Sequence, residues 1–198
     1  MNNPRGRPRK FDPEVALNKA MLVFWRRGLS ATSLDDLSQA MAMNRPSIYN
    51  AFGNKEAIYR AAFAQFSRQM ERGFEQTING DSDLRKGLVK FYDQAISLYC
   101  GGDVALGCLV MCTAPVEASV HAEVRADLKT LIEHIDQKLE RRINEAVKDG
   151  DFPAHSDAKL TAKLIQGVLH SLAIRARAQE SPSSLKKLAR FAVNCLPR

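Results

Sequence analysis

The sequence has little of what secreted and membrane-spanning proteins depend on. It contains four cysteines in 198 residues. Because a chain of this length buries a core without covalent staples, these cysteines suit a reducing cytosol better than a disulfide framework. The first ten residues are basic and contain two prolines, without the apolar segment of a signal peptide. We therefore expect a cytoplasmic protein.

The sequence also lacks a membrane span and the common catalytic motifs. Its longest weakly polar run, residues 104–116, contains Pro115 and is shorter than the roughly 20 apolar residues that a transmembrane helix needs. There is no glycine-rich phosphate loop, nucleophile elbow or HExxH zinc motif. We predict that the protein is not an enzyme and has no catalytic residue, no cofactor, no metal site and no membrane partner.

Positive charge is concentrated at the N-terminal end of the chain. Residues 1–55 contain nine lysines and arginines and four acids, a net charge of +5 out of the +7 of the whole chain. A local excess of positive charge is the electrostatic footprint of a nucleic-acid-binding surface. We therefore expect contacts with DNA to be made by the N-terminal part.

Residues 32–52 have the pattern of two short helices joined by a tight turn. Ser33 is a favourable N-cap with Asp36 three residues later, as in a capping box, and Asn44 is a second N-cap. Gly53 ends the second helix. Two such helices form a helix-turn-helix, whose second helix enters the major groove of DNA. An ordinary helical hairpin with a solvated polar face is the alternative.

The second of these helices carries side chains that suit DNA. Arg45 pairs well with guanine and Asn50 with adenine, and either can instead contact phosphate, as the hydroxyls of Ser47 and Tyr49 do. Lys55, at the start of the following helix, is placed to meet a phosphate. The complete set of residues that we predict to contact DNA is Arg5, Arg7, Thr32, Ser33, Asn44, Arg45, Pro46, Ser47, Tyr49, Asn50 and Lys55.

The first ten residues have the composition of a DNA-binding arm. The segment Arg5-Gly6-Arg7-Pro8 resembles an AT-hook, in which arginines lie in a narrow minor groove rich in A·T pairs. The alternative is a solubilising basic tail that makes only loose phosphate contacts.

The spacing of residues in this region resembles the DNA-binding domain of TetR-family transcriptional repressors. The motif is Thr32-Ser33, Leu37, Ile48-Tyr49, Phe52, Lys55-Glu56 and Ile58. The chain departs from the family pattern at three positions: Ala42 stands where the turn usually has glycine, Met43 where valine is usual, and Pro46 where a small residue is common. Alanine is disfavoured at positive φ, so Ala42 bears directly on the geometry of the turn.

The resemblance implies an all-α fold, with an N-terminal three-helix helix-turn-helix DNA-binding domain followed by a helical ligand-binding and dimerisation bundle. We place the domains at residues 1–55 and 56–198. Apolar periodicity in the second part predicts six helices without strand-like alternation. They include a long helix that starts at Lys55, a short apolar helix over residues 104–114 and a long helix over residues 116–148.

The resemblance also implies a small-molecule pocket inside the bundle. Without the family, the same inward-facing aromatic side chains are simply core. A pocket combines apolar walls with a few convergent polar groups. The candidate ligand-binding residues are Phe63, Phe66, Met70, Phe91, Tyr92, Ile96, Tyr99, Cys108, Met111, Cys112, Glu117, His121, Leu169 and His170.

A homodimer formed by the last two helices is a further implication of the resemblance. Two recognition helices about 34 Å apart would then read the two halves of a palindromic double-stranded operator. The candidate interface residues are Leu164, Gly167, Val168, Ser171, Leu172, Arg175, Leu188 and Phe191.

Cys108 and Cys112 are four residues apart and therefore share a helical face, with Cys100 close in sequence. Three interpretations remain open. The thiols pack as small apolar groups, or they sense oxidants or electrophiles, which requires a lowered thiol pKa. A metal site is the third, although ligands such as His121 lack a zinc-like spacing.

These patterns together predict a repressor that an unidentified small apolar effector releases from its operator. Effector binding would favour a spacing of the two recognition helices that no longer fits successive major grooves. One alternative is a cysteine-based redox-sensing regulator with the same DNA-binding part. The other is a ligand-free architectural DNA-binding protein that uses the arginine-rich arm.

Overall fold

The computed structural model describes residues 12–197. In this part of the chain all regular structure is helical, which confirms the all-α prediction. None of these helices is both long and apolar enough to cross a membrane. The helices are α1 (Pro13–Arg27), α2 (Leu34–Met41), α3 (Arg45–Phe52), α4 (Lys55–Phe74), α5 (Leu84–Tyr99), α6 (Leu109–Glu117), α7 (Ala122–Lys148), α8 (Ala158–Arg177) and α9 (Pro182–Asn194).

The chain forms two compact units, residues 1–62 and residues 63–198. The first contains α1, α2, α3 and the first turns of α4, and the second contains the remaining helices. The helix predicted from Lys55 onward is present as α4 and is continued by a π-helical turn, Glu75–Asn79. The domain boundary placed between residues 55 and 56 from the sequence falls at the start of α4 and stays a prediction.

Side-chain caps fix the helix starts of the first unit. Asp12 accepts a 2.8 Å hydrogen bond from the Glu14 N–H at the start of α1. Ser33 and Asp36 form the predicted capping box, with bonds of 3.0 and 2.9 Å between each side chain and the other residue's N–H. Asn44 accepts from the Ser47 N–H at 2.9 Å. Each cap satisfies an N–H that the helix itself leaves unpaired.

The core of the first unit supports two helices that are short. α2 and α3 have eight residues each, and helices shorter than about 12 residues are marginal in water by themselves. Leu37 of α2 and Ile48 of α3 are fully buried. Phe24 of α1 meets Tyr59 of α4 edge to face, with 5.3 Å between ring centroids. Burial of each such side chain contributes about 1.5–3 kcal/mol.

In the second unit, α7 packs along α8 and α5 along α9. Arg85 of α5 donates to the carbonyl oxygens of Val193 at 2.7 Å and Leu196 at 3.3 Å, and also to that of Pro197. Its guanidinium carbon lies 5.6 Å from the ring centroid of Phe152. Arg85 therefore occupies the carbonyl end of α9, where a positive charge is favourable.

Two helix boundaries differ from the prediction. Residues 104–108 are not helical, because the chain turns at Gly107, whose φ is +68°. α6 therefore starts at Leu109, and Pro115 lies within it rather than at its end. The Val120 and His121 N–H groups both donate to the Glu117 carbonyl. This turn ends α6, so the long helix predicted from residue 116 begins at Ala122.

The turn between α2 and α3 needs a residue in the left-handed conformation. Ala42 takes this place, with φ 54° and ψ 42°, although the conformation costs an L-residue roughly 1–2 kcal/mol. The Ser38 hydroxyl donates to the Met43 carbonyl at 2.5 Å, and the Met43 side chain is buried. These contacts hold the turn in place against the local strain.

Ala42→Gly is expected to raise the free energy of unfolding of the first unit by about 1 kcal/mol, because glycine adopts positive φ without the steric cost. Trp25 is the single tryptophan of the chain and is buried in this unit, so its fluorescence during urea unfolding measures the effect. Ala51→Gly, at an exposed position inside α3, is the control. It should lower the stability by about 0.5–1 kcal/mol. Equal losses for both variants would show that Ala42 is unstrained.

Candidate functional site

α3 turns one side inward and exposes a polar side. Ile48 is fully buried, whereas Arg45, Tyr49 and Asn50 are exposed and Ser47 is half-buried. The helix places these side chains on the surface because Ile48 anchors its opposite face in the core. Guanidinium, phenol and amide groups on a short exposed helix suit the edges of bases and the phosphates of a duplex.

Arg45 is held by a carboxylate from the neighbouring helix. Asp35 of α2 accepts from Arg45 Nε at 3.0 Å and from Nη2 at 2.6 Å through Oδ1, and from Nη2 at 2.7 Å through Oδ2. Both side chains are more than half exposed, at 56% for Arg45 and 74% for Asp35. The pair therefore lies at the surface, at the N-terminal ends of both helices.

Asp36, the other acid in the first turn of α2, is also bonded to an arginine. Arg27 Nη1 lies 2.7 Å from Asp36 Oδ1. Hydrogen bonds from Ser33 and the nearby Arg27 charge lower the pKa of Asp36. These arginine–aspartate pairs are not among the features predicted from the sequence. Each joins residues nine or ten positions apart, and no local pattern signals such a contact.

Two of the predicted DNA-contacting residues have roles inside the first unit. Thr32 is 1% exposed, and its hydroxyl donates to the Gly28 carbonyl at 2.6 Å. Its side chain therefore supports the segment before α2 from beneath the surface, and its contact with DNA stays a prediction. Lys55 Nζ donates to the Thr32 carbonyl at 2.7 Å. Arg5 and Arg7 lie outside the described residues.

The predicted ligand-binding residues lie mostly inside the second unit. Nine are buried: Phe63, Phe66, Phe91, Tyr92, Ile96, Tyr99, Cys108, Glu117 and Leu169. Five are half-buried: Met70, Met111, Cys112, His121 and His170.

Aromatic rings from α4 and α5 meet in this core. The ring centroids of Phe74 and Phe91 are 5.8 Å apart in an edge-to-face contact, and those of Phe91 and Tyr92 are 6.3 Å apart. The Tyr92 hydroxyl donates to the Ile165 carbonyl at 2.8 Å, which joins α5 to α8. Burial raises the pKa of Tyr92, so this hydroxyl remains a donor.

The Tyr99 hydroxyl is buried beside thiols. Tyr99 is 1% exposed, and within the described part of the chain its hydroxyl has no hydrogen-bond partner. Burial and the adjacent Cys108 and Cys112 thiols raise the pKa of Tyr99 well above its usual value. A buried donor without a partner costs about 1–3 kcal/mol. An acceptor placed beside this hydroxyl would recover that cost.

Burial also determines the state of the thiols. It raises the pKa of Cys108 to about 12 and that of Cys112 above its ordinary value. The Cys112 Sγ lies 3.7 Å from the Ala173 carbonyl oxygen. Both groups are therefore protonated near neutral pH. A thiol that reacts readily has a lowered pKa instead.

Two histidines lie at the margins of this core. His121 Nε2 is 3.8 Å from Glu117 Oε2, and the Glu117 side chain is buried. Burial lowers the pKa of His170 on α8, while the charge of Asp136 on α7 acts in the opposite direction. No group of three or more histidine, cysteine, aspartate or glutamate side chains among residues 12–197 is arranged to hold a metal ion.

A polar groove of about 470 Å³ lies elsewhere in the second unit. Its lining contains none of the predicted ligand-binding residues and consists of Asn79, Gly80, Asp81, Ser82, Arg142, Glu145, Asp149 and Asp151. Arg142 donates through Nη2 to the Asp81 and Ser82 carbonyls, each at 3.0 Å. The groove is thus organised around a structural arginine.

α8 exposes an apolar stripe, and α9 exposes a phenylalanine. Leu160, Leu164 and Ile174 are 63%, 56% and 58% exposed, and Phe191 of α9 is 67% exposed. Nothing lies within 4 Å of the position where Gly167 would carry a Cβ. The stripe Leu160, Leu164, Gly167, Ser171 and Ile174 is spaced alternately by four and three residues, as at a helix–helix seam.

The remaining interface predictions divide between the surface and the core. Leu172 is fully buried in the chain's own core. Its place at an interface stays a prediction, and the exposed stripe includes Leu160 and Ile174, which were not predicted there. Val168 and Leu188 are half-buried. Arg175 is bonded to Ser171 at 3.2 Å and to Glu180 at 3.0 Å.

Two family models match the chain. The model described as bacterial regulatory proteins, tetR family, matches residues 16–62, and that described as tetracyclin repressor-like, C-terminal domain, matches residues 85–192. The first match includes α2 and α3 with the exposed polar face. The second covers more than half of the chain and includes Phe91, Tyr92, Tyr99 and the apolar stripe.

Individual proteins show the same similarity. The HTH-type transcriptional repressor ComR of Escherichia coli (strain K12) is 26% identical over 189 residues, which cover 95% of this chain and 89% of that protein. The HTH-type transcriptional repressor BdcR of the same organism is 27% identical over 106 residues, 54% of each chain. A structure of a cysteine mutant of the TetR family transcriptional regulator CifR, complexed with 26-bp double-strand operator DNA, is 30% identical. It covers 97% of this chain and 100% of its own, with a TM-score of 0.87.

The buried position of Cys108 leads to a prediction about alkylation. With a pKa of about 12, its thiolate fraction near pH 8 is on the order of 1000-fold smaller than that of an ordinary thiol. Iodoacetamide should therefore leave Cys108 unmodified in the folded protein and modify it in concentrated urea, as measured by peptide mass spectrometry. The exposed Cys195 reports that the reagent is active. Equal labelling of Cys108 in both states would contradict the burial argument.

Proposed function

Because this chain belongs to the TetR family of bacterial transcriptional regulators, we propose that it is a repressor that binds a palindromic operator as a homodimer and is released by a small apolar effector. The observation that carries this proposal is α3. It is held by the buried Ile48 and exposes Arg45, Tyr49 and Asn50 together. Side chains of these types read base edges and phosphates.

The comparisons support the repressor assignment. ComR and BdcR are described as HTH-type transcriptional repressors, and CifR is described as complexed with operator DNA. The basic N-terminal arm with Arg5 and Arg7 would add contacts to phosphates or to the minor groove. Repression then follows if the operator overlaps the site at which transcription starts.

The second unit supports an effector with one polar group. Its aromatic core contains the Tyr99 hydroxyl, a buried donor without a partner among the described residues. We propose a mainly apolar effector whose carbonyl or ether oxygen accepts from this hydroxyl, because that bond would recover the cost of the unpaired donor. The effector shifts the protein towards a form whose recognition helices do not match the operator.

The thiols give less support to a redox sensor. Burial raises the pKa of Cys100, Cys108 and Cys112, whereas a sensor thiol requires a lowered pKa. An architectural DNA-binding protein without an effector does not require the exposed stripe on α8 or the unpaired Tyr99 hydroxyl. We therefore place the effector-released repressor first.

Selection of bound duplexes from a random pool tests the DNA-binding part of the proposal. The expected result is one palindromic sequence, with the centres of its half-sites about 34 Å apart or a multiple of that distance. The palindrome would establish both sequence specificity and two-fold symmetry. Enrichment of A·T content without a defined sequence would instead support the architectural alternative.

The dimer proposal gives a further prediction from the exposed stripe. Leu164→Glu and Phe191→Glu should each raise the dissociation constant of the dimer by at least thirty-fold, about 2 kcal/mol, because each puts a charge where an apolar side chain would be buried. Light scattering at micromolar concentration measures the mass, and operator affinity should fall in parallel.

Val116→Glu is the matched control for these variants. Val116 is 75% exposed and lies on α6, which is not part of the stripe, so the same change there should leave the dimer intact. A wild-type mass of one chain, or dimers in both α8 and α9 variants, would overturn the proposed interface.

A further inference from the structure

The Asp35–Arg45 pair occupies the donors with which Arg45 would read a base. Its three hydrogen bonds use Nε and Nη2, and only Nη1 lies outside the pair. Bidentate recognition of guanine needs two guanidinium donors directed at O6 and N7. Arg45 must therefore leave Asp35, at least in part, before it makes this contact.

Among residues 12–197, Asp35 makes no other side-chain hydrogen bond that would explain its position. The capping box at the start of α2 uses Ser33 and Asp36, and the Asp35 side chain is 74% exposed. A carboxylate in the first turn of a helix is stabilised by the helix dipole whichever way its side chain points. This one points to Arg45 on the face that is proposed to meet DNA, where a carboxylate is repelled by phosphates.

The Asp35–Arg45 pair should act differently on the affinity for specific and for non-specific DNA. A duplex without the right base offers Arg45 a phosphate in exchange for the two oxygens of Asp35, and the separated carboxylate then faces a negative surface. A duplex with guanine in position offers two directed hydrogen bonds in exchange. A cost of complete separation would be equal on both duplexes and would cancel from the ratio of the two affinities. The difference comes from partial separation: on guanine, Arg45 can keep its Nε bond to Asp35, which orients the guanidinium, while Nη1 and Nη2 turn to O6 and N7. A phosphate offers no such directed pair, and the carboxylate beside it is repelled, so Asp35 favours the correct sequence.

We propose that Asp35 is a specificity-determining residue that acts through Arg45: it holds the guanidinium away from DNA that lacks the recognised base and thereby raises discrimination against random sequence. This inference rests on the proposed function of α3 as the recognition helix. Asp35 itself contacts no base and is a positioning residue.

The test compares two duplexes of equal length and composition, the one selected by the wild-type protein and its scrambled form. The quantity measured is the ratio of the affinity for the selected duplex to the affinity for the scrambled duplex. Asp35→Asn should lower this ratio about three- to ten-fold, because binding to the scrambled duplex gains relative to binding to the selected one. Asp35→Glu retains the charge and the acceptors, so it should keep the ratio close to that of the wild type.

Two further variants separate this role from a simple charge effect. Glu14→Gln removes one exposed negative charge at the start of α1, and it should leave the ratio unchanged. In an Arg45→Ala background, Asp35→Asn should no longer change the ratio. Trp25 fluorescence during urea unfolding confirms that each variant is folded.

The outcomes are distinct. An unchanged ratio for Asp35→Asn, or the same fall in the ratio with and without Arg45, would overturn the inference while the DNA-binding function stands. A wild-type protein that selects no sequence would overturn the proposed function together with the inference. A fall in the ratio that disappears in the Arg45→Ala background supports it.

Discussion

The first unit depends on the burial of one face of two helices that are too short to persist alone. α2 and α3 have eight residues each, so their geometry comes from packing rather than from their own hydrogen bonds. Leu37 and Ile48 supply that packing and are fully buried. The packing of Leu37 and Ile48 therefore sets the position of every exposed side chain of α3. The exposed face of α3 is therefore held by the core beneath it.

The second unit holds its buried and half-buried charges by giving them backbone partners or opposite charges. Arg142 is buried and bonds the carbonyls at the end of the π-helical turn, and Arg85 bonds those at the end of α9. Lys138 of α7 donates to Glu71 at 2.9 Å and also to Glu75, and it lies 5.4 Å from the Phe74 ring centroid. These contacts fix helix ends, where unpaired carbonyls are concentrated. The Tyr99 hydroxyl, like Asp93 Oδ1, Asp136 Oδ1 and Ser156 Oγ, is buried without a hydrogen-bond partner among the described residues.

The success of prediction from the sequence depended on the range of the interaction. The caps Ser33 and Asn44 were predictable because each is satisfied within three residues of its own position. The bond between Asp35 and Arg45 depends on the angle between two helices, which no local pattern encodes. On α8, periodicity indicates apolar stripes but does not tell which of them faces the chain's own core. For this reason Leu172 was predicted at the interface, while the exposed Ile174 was not.

Gly167 has an evolutionary consequence. It is a helical residue with nothing within 4 Å of its Cβ position, and glycine in a helix is less favourable than most other residues by up to about 1 kcal/mol. The fold of the single chain therefore gains from almost any substitution there, and only a packed neighbour would oppose one. In the proposed dimer, a bulky residue at this position in one copy of a duplicated gene is a route by which the two regulators cease to form mixed dimers, without loss of either fold.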